Sequence, residues 1–241
     1  QPASNQWLRL MARNFTPHTQ IVLGYSGYER GKGWLHKRIS FNTLFTSLRY
    51  LGFALAGKPY MGLGRNLAYR KELFFKQKGY STHLNLQRGE DDLFINQIAN
   101  TENTRVETNA RAIMRMQPIE RYKDWKEERV SYMATARYYK GAQRYLLGFE
   151  TCSRLLFYVA CIASIVFGII HSHWLVAGIA FFIWLLRYTV QAIVINKTAT
   201  DQEENRHYYF SLLLFDLLQP LQTLQLKLYR LYRGKGDFMR R

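Results

Sequence analysis

Residues 155–186 read LLFYVACIASIVFGIIHSHWLVAGIAFFIWLL, a run of 32 residues between Arg154 and Arg187 without Asp, Glu, Lys or Arg. One membrane-spanning helix needs about 20 apolar residues. The run and its apolar flanks therefore predict two such helices, at about residues 149–170 and 174–195, joined by a turn at residues 171–173. A buried helical hairpin of a soluble protein is the alternative, but the polar remainder is too small to wrap two such helices.

Basic residues flank both ends of this hairpin, whereas the turn His171-Ser172-His173 carries no Lys or Arg. The flanking residues are Lys140, Arg144, Arg154, Lys197 and Arg206. Because cytoplasmic segments carry the excess of Lys and Arg, we expect the polar part and the C-terminus to be cytoplasmic and the turn external. Arg187 within the second helix could reach the interface, pair inside a larger protein or face a polar channel.

The charge is unbalanced, with 34 Lys and Arg against 17 Asp and Glu. This excess indicates an anionic partner: nucleic acid, acidic lipid or a phosphate-bearing substrate. The apolar hairpin argues against nucleic acid. Cys152 and Cys161 are nine positions apart, too far to bridge on one helix, and are expected to be packing residues.

The polar part, residues 1–147, alternates strand and helix patterns, which predicts an α/β domain. The expected elements are a strand at 21–25, a helix at 38–56, a turn with a strand and short helix after Pro59, a helix at 91–99, strand at 105–116 and a helix at 124–147. After the hairpin, taken as residues 148–196, residues 197–241 form an amphipathic segment kinked at Pro220 with a basic tail. This segment either lies on acidic lipid, through Lys227, Arg230 and Arg233, or packs on the other helices.

The acidic run Gly89-Glu90-Asp91-Asp92 is the sharpest chemical feature of the chain. Adjacent carboxylates repel one another and cost stability unless something uses them. One of them could act as a general base, or the run could bind a cation. Favourable placement at the N-terminus of a helix is the structural alternative.

Residues 60–71, YMGLGRNLAYRK, combine two glycines with following arginines. The glycines allow the backbone to approach a ligand closely. The segment is neither a P-loop nor a complete dinucleotide fingerprint, so taken alone it indicates a structural turn.

The order of these motifs resembles the membrane-bound family 2 glycosyltransferases, which include the cellulose and hyaluronan synthases. The glycine-rich segment is followed by Gly79-Tyr80, by GEDDLFINQIA from Gly89, by a basic helix containing Trp125, and by two apolar helices. The pattern is most similar to bacterial members with one catalytic domain and C-terminal membrane helices. The resemblance implies a glycosyltransferase A-type fold that binds a nucleotide sugar.

The resemblance also implies residue roles. The acidic motif would carry the catalytic base, which we assign to Asp91, with Asp92 as the neighbouring candidate and Glu90 in the same motif. Substrate-binding positions would be Gly62, Gly64, Arg65, Asn66 and Arg70 of the glycine-rich segment, and Trp125, Glu128 and Arg129 of the basic helix.

Two features depart from the family pattern. The Asp-x-Asp motif, which would hold Mg²⁺ or Mn²⁺ and the nucleotide diphosphate, is expected in sequence upstream of Gln1, so no metal ligand is assigned within the chain. The Gln-x-x-Arg-Trp motif corresponds to Glu128-Arg129-Val130-Ser131-Tyr132. Its arginine is replaced by Ser131, although Arg129 could supply the cation. These changes favour addition of a single sugar over processive synthesis.

The resulting expectation is an inverting glycosyltransferase at the bacterial inner membrane. It would transfer a sugar from a nucleotide-diphosphate sugar to a lipid-linked or cell-surface glycan, in contact with anionic lipids and not with nucleic acid. A non-catalytic, membrane-anchored binding or scaffold subunit is the alternative.

Overall fold

The computed structural model describes residues 1–81, 89–203 and 206–232. They divide into two compact units. Residues 1–144 with 226–232 form a mixed α/β unit, and residues 145–225 form a helical unit.

The described residues 1–144 of the α/β unit form five short strands and five α-helices, and residues 226–232 belong to a further helix described below. The strands are β1 (Ile21–Gly24), β2 (Ser26–Tyr28), β3 (Leu67–Tyr69), β4 (Thr104–Glu107) and β5 (Met114–Met116). The helices are α1 (Trp7–Ala12), α2 (Trp34–Leu55), α3 (Lys71–Lys76), α4 (Glu90–Ile98) and α5 (Tyr122–Thr135).

Strand β1 lies at the centre of the larger sheet. It pairs antiparallel with β3 and parallel with β4, and all four of its residues are buried. A separate two-stranded sheet pairs β2 parallel with β5. The buried run Ile21-Val22-Leu23 suits a strand covered on both faces. The predicted strand at 21–25 and the turn, strand and short helix after Pro59 are therefore confirmed.

The helices expected at 38–56 and 91–99 are also confirmed, as α2 and α4. Two other predictions were wrong, because each placed one continuous element where the structure has a break. Strand at 105–116 is interrupted by a turn at Ala110–Ala112, where the Asn109 side chain accepts a hydrogen bond from the Arg111 N–H. The single helix at 124–147 is two helices, because α5 ends at Thr135 and Gly141, with φ of +84°, separates it from α6.

The helical unit is built from α6 (Gln143–Ile170), α7 (Trp174–Glu203) and α8 (Tyr209–Tyr232). The unit begins at residue 145 within α6 and ends at residue 225 within α8. Two segments, Tyr145–Ile170 and Trp174–Gln202, are long and apolar enough to cross a membrane. Their side chains are largely exposed, unlike those of a buried hairpin in a soluble protein. Ser172 adopts φ of +58° in the connecting turn, so the predicted turn at 171–173 is confirmed.

A buried charge cluster joins the three helices of this unit. The carboxylate of Asp216 on α8 lies 2.8 Å from Arg154 Nη1 on α6 and 2.9 Å from Arg187 Nη2 on α7. It also accepts a hydrogen bond from the Tyr158 hydroxyl. Of the three environments considered for Arg187, the structure shows pairing inside the protein. Burying charge is costly unless the charges are paired, so the cluster holds these helices in one arrangement.

Helix α8 continues through Pro220 without a break. Leu212, Phe215 and Leu226 on one face are buried, which corresponds to the packed alternative for this segment. Of the basic residues expected to meet lipid, Lys227 is exposed, Arg230 donates to the Met133 carbonyl at 2.9 Å, and Arg233 lies outside the described residues.

Candidate functional site

The acidic motif and the glycine-rich segment meet in the α/β unit. The backbone N–H of Gly64 donates a hydrogen bond to Oδ2 of Asp91. A Cβ atom at position 64 would lie 2.7 Å from the same oxygen, so glycine is what allows this approach. Two motifs separated by 27 positions are thereby brought into direct contact.

Asp91 lies in the first turn of α4, which begins after Gly89 in a left-handed conformation with φ of +91°. Its side chain is half-buried. Among the residues that the structure describes, its carboxylate forms no ion pair and accepts a hydrogen bond from the Gly64 N–H. The neighbouring Glu90 is also half-buried. This placement also satisfies the structural alternative, since acidic side chains favour the positive end of a helix.

Asp92, the next residue of α4, is buried in the core and is 1% exposed. Its Oδ2 lies 2.7 Å from the Thr135 hydroxyl and 2.8 Å from the Tyr139 hydroxyl. Burial raises the pKa of Asp92 to about 7, although hydrogen bonds from Thr135 and Tyr139 favour the ionised form and oppose this rise. Access to solvent therefore distinguishes the two adjacent carboxylates, because Asp91 is half-buried and Asp92 is enclosed.

One hydrogen-bond arrangement around Asp92 requires a protonated side chain. The Thr135 hydroxyl also lies 2.7 Å from the Tyr132 carbonyl oxygen, but it has one hydrogen to donate. If that hydrogen goes to the carbonyl, Asp92 must donate its own hydrogen to Thr135 Oγ1. A neutral Asp92 satisfies this arrangement and leaves Asp91 without a second negative charge beside it.

Arg65, directly after Gly64, is held in a cluster of polar side chains. Its guanidinium forms an ion pair with Glu128 on α5 and lies 3.4 Å from the hydroxyls of both Tyr28 and Tyr132. The Arg65 side chain is 25% exposed and that of Glu128 is 19% exposed. Burial, followed by the negative charge of Glu128, raises the pKa of Tyr28. Arg65 therefore anchors the loop that contacts Asp91 to α5 through its ion pair with Glu128.

Arg129 contacts α2, where its Nη1 lies 3.3 Å from Thr46 Oγ1. Burial lowers the pKa of its guanidinium, and the charge of Arg49 adds to this effect. The cation in contact with Glu128 and Tyr132 is thus Arg65. From the sequence, Arg129 was the candidate to supply this cation, and Arg65 was not considered for it.

Several predicted substrate-binding residues have packing roles in this structure. Asn66 is 2% exposed, and its side-chain amide donates to the carbonyls of Tyr25 and Ala112. Trp125 is also 2% exposed, in a core cluster with Tyr28. Two further positions are similarly engaged: Arg70 donates to the carbonyls of Thr16 and Thr19, and a Cβ at Gly62 would lie 2.9 Å from Leu23.

Sequence reasoning missed Tyr28, Tyr132, Thr135 and Tyr139 as residues of this site. They contact Arg65 or Asp92 across 37 to 67 positions of sequence. Tyr132 ends the window compared with the Gln-x-x-Arg-Trp motif, but Tyr28, Thr135 and Tyr139 belong to no local motif, so no signal in the sequence could have identified these three.

The described residues contain no group of three or more His, Cys, Asp or Glu side chains that could hold a divalent metal ion. Within the acidic run, the carboxylate of Asp92 is hydrogen-bonded to Thr135 and Tyr139 in the core. It is therefore not placed to bind a metal ion together with Asp91.

Comparisons of the chain with family models, with curated proteins and with solved structures give no match.

Proposed function

We propose that this chain is part of an inverting glycosyltransferase in which Asp91 is the general base. The observation that carries the proposal is the contact between Asp91 and Gly64. It leaves a half-exposed carboxylate beside a glycine-rich loop, with Arg65 as the next residue of that loop. A carboxylate in this setting can accept a proton from a bound hydroxyl.

In the proposed reaction, an acceptor hydroxyl oxygen attacks the anomeric carbon of a nucleotide-diphosphate sugar. The new glycosidic bond forms as the bond to the diphosphate breaks, so the anomeric configuration inverts. Asp91 takes the hydroxyl proton, and the nucleoside diphosphate leaves with the bonding electron pair. The Gly64 N–H orients the carboxylate.

The polar unit is proposed to act at the inner face of a bacterial cytoplasmic membrane. Two helices of suitable length and hydropathy support membrane association. The absence of Lys and Arg from the turn at 171–173 favours an external turn and a cytoplasmic polar unit. A lipid-linked or cell-surface glycan acceptor would then be close to the enzyme that modifies it.

The stereochemistry of the product tests this proposal. Full-length protein in detergent is incubated with a panel of nucleotide-diphosphate sugars and glycan or lipid-linked acceptors. NMR then gives the anomeric configuration of each product. We expect one donor to give a product of inverted configuration. A retained configuration, or no transfer with any donor, would contradict the proposal.

A further inference from the structure

A groove of about 430 Å³ lies between the C-terminal half of α7 and the first turn of α8. Its lining from α7 includes Thr189, Ile193, Asn196, Lys197 and Thr200. These residues recur every three or four positions and therefore share one face of the helix. Tyr209 of α8 completes the lining.

Hydrogen bonds between the two helices fix the shape of this groove. The Tyr188 hydroxyl donates to the Tyr209 carbonyl oxygen at 2.9 Å. The Tyr208 N–H donates to Asn196 Oδ1 at 2.6 Å, and both residues are buried. The groove is thus built into the junction of the helices and does not depend on the position of one surface side chain.

Lys197 gives the groove a positive charge. It is the one charged residue of the lining and is exposed. Within the part of the chain that the structure describes, no carboxylate forms an ion pair with it. The ammonium group is therefore available to an anion.

The position of Lys197 along α7 places it at the edge of a bilayer. Lys197 follows Trp174, the first residue of α7, by 23 positions, which at a rise of 1.5 Å per residue corresponds to about 35 Å. The hydrocarbon core of a bilayer is about 30 Å thick. If α7 spans the membrane from Trp174, Lys197 lies at the level of the lipid phosphates. Tyr209 suits the same interface, because the neighbouring Tyr208 bonds to Asn196, one residue before Lys197.

An exposed apolar stripe leads from the groove along the proposed span. Phe182, Leu186 and Ile193 lie on the side of α7 that carries Lys197, and they are 64%, 54% and 62% exposed. Their spacing of four and seven residues keeps them on one face. A molecule with a phosphate at Lys197 can therefore lay an acyl chain along this stripe.

We propose that this groove binds the headgroup of an anionic glycerophospholipid, with the lipid phosphate at Lys197 and an acyl chain along the stripe. The proposal rests on the membrane placement proposed above. A bilayer lipid is favoured over a soluble phosphate because the charged groove and the apolar stripe are continuous.

Native mass spectrometry of the full-length protein in detergent tests this site. The probes are phosphatidylglycerol and phosphatidylcholine with identical acyl chains. We expect one phosphatidylglycerol to bind more tightly than phosphatidylcholine. Because one basic residue at an anionic surface contributes ~1 kcal/mol, Lys197→Gln should weaken phosphatidylglycerol binding about fivefold. Ile193→Trp, which adds bulk to the groove at an exposed position, should also weaken it while leaving the charge intact.

The matched control is Lys140→Gln, which removes an exposed lysine that precedes the first apolar helix. Its phosphatidylglycerol affinity should be unchanged. An equal loss in the control, or no loss in Lys197→Gln, would overturn the site. Displacement of the lipid by inorganic phosphate, or tighter binding of a polyprenyl phosphate, would overturn the choice of ligand. Flotation of the protein with vesicles is measured in parallel, because failure to float would instead refute the membrane placement.

Discussion

The stability of the protein should depend on pH through Asp92. Burial raises the pKa of Asp92 in the folded state to about 7, from an ordinary value of 3.8. The folded protein therefore retains a proton that the unfolded chain has lost between about pH 4 and pH 7. The contribution of Asp92 to stability is consequently fully present at low pH and is lost as the pH rises to 7. At 1.36 kcal/mol per pKa unit, the loss amounts to about 4 kcal/mol.

Asp92→Asn should remove this dependence, because the amide stays neutral at every pH. The introduced amide keeps an oxygen that accepts a hydrogen bond from Tyr139. A poorly aligned hydrogen bond with Thr135 would lower the free energy of unfolding by about 1 kcal/mol. We therefore expect the two proteins to differ by less than about 1 kcal/mol at pH 5, because the unsubstituted protein has lost about 1.6 kcal/mol of the Asp92 contribution by that pH. At pH 8, where the unsubstituted protein buries a carboxylate, the variant should be more stable by about 3 kcal/mol.

Thermal melts of both proteins in detergent between pH 5 and pH 8.5 provide the test. Subtracting one free energy of unfolding from the other removes the contribution of all other titrating groups, because both proteins share them. Asp201→Asn, at an exposed position, is the matched control and should follow the unsubstituted protein at every pH. A difference between Asp92→Asn and the unsubstituted protein that stays constant across this range would refute the argument that Asp92 is neutral when buried.

Three further predictions concern the loop, the charge cluster and the turn. Gly64→Ala places a Cβ 2.7 Å from the Asp91 carboxylate, so sugar transfer should fall by ~10²-fold while stability falls by only about 1–3 kcal/mol; an unchanged transfer rate would exclude a role for this contact. Asp216→Ala leaves the buried charges of Arg154 and Arg187 without their shared partner, and should cost about 3–5 kcal/mol in chemical denaturation, whereas Asp201→Ala should have no measurable effect. Ser172→Cys, in a protein whose two native cysteines are replaced, should react with a membrane-impermeant thiol reagent in intact cells, and labelling only after lysis would reverse the proposed orientation.

Much of the fold could be predicted because local patterns determine it. The charge-free run at 155–186 predicted two helices, and the apolar run at Ile21–Gly24 predicted the central strand. The break after α5 was missed because the spacing of apolar residues continues across it. The break is explained by a distant contact, since it lets the Tyr139 hydroxyl reach Asp92.

The candidate site could be predicted only in part, because contacts between residues far apart in the sequence complete it. The glycine-rich segment and the acidic run are visible in the sequence, but which carboxylate faces the loop depends on how α4 packs against the core. The ion pair between Arg65 and Glu128 spans 63 positions and has no local signal. In the helical unit, Asp216 and Arg187 are isolated charges in apolar helices. They could have been matched as partners from the sequence, because each is costly to bury alone.

The transfer rate of Asp91→Asn tests the proposed role of Asp91 most directly. The amide keeps the shape of the side chain and the hydrogen bond from Gly64, but it cannot take the proton. General-base assistance contributes about 10²–10⁴-fold, so the full-length variant should lose transfer by that factor while its melting temperature and nucleotide-sugar affinity stay unchanged. Asp201→Asn should transfer at the normal rate. Near-normal transfer by Asp91→Asn would contradict the assignment of Asp91 as the base.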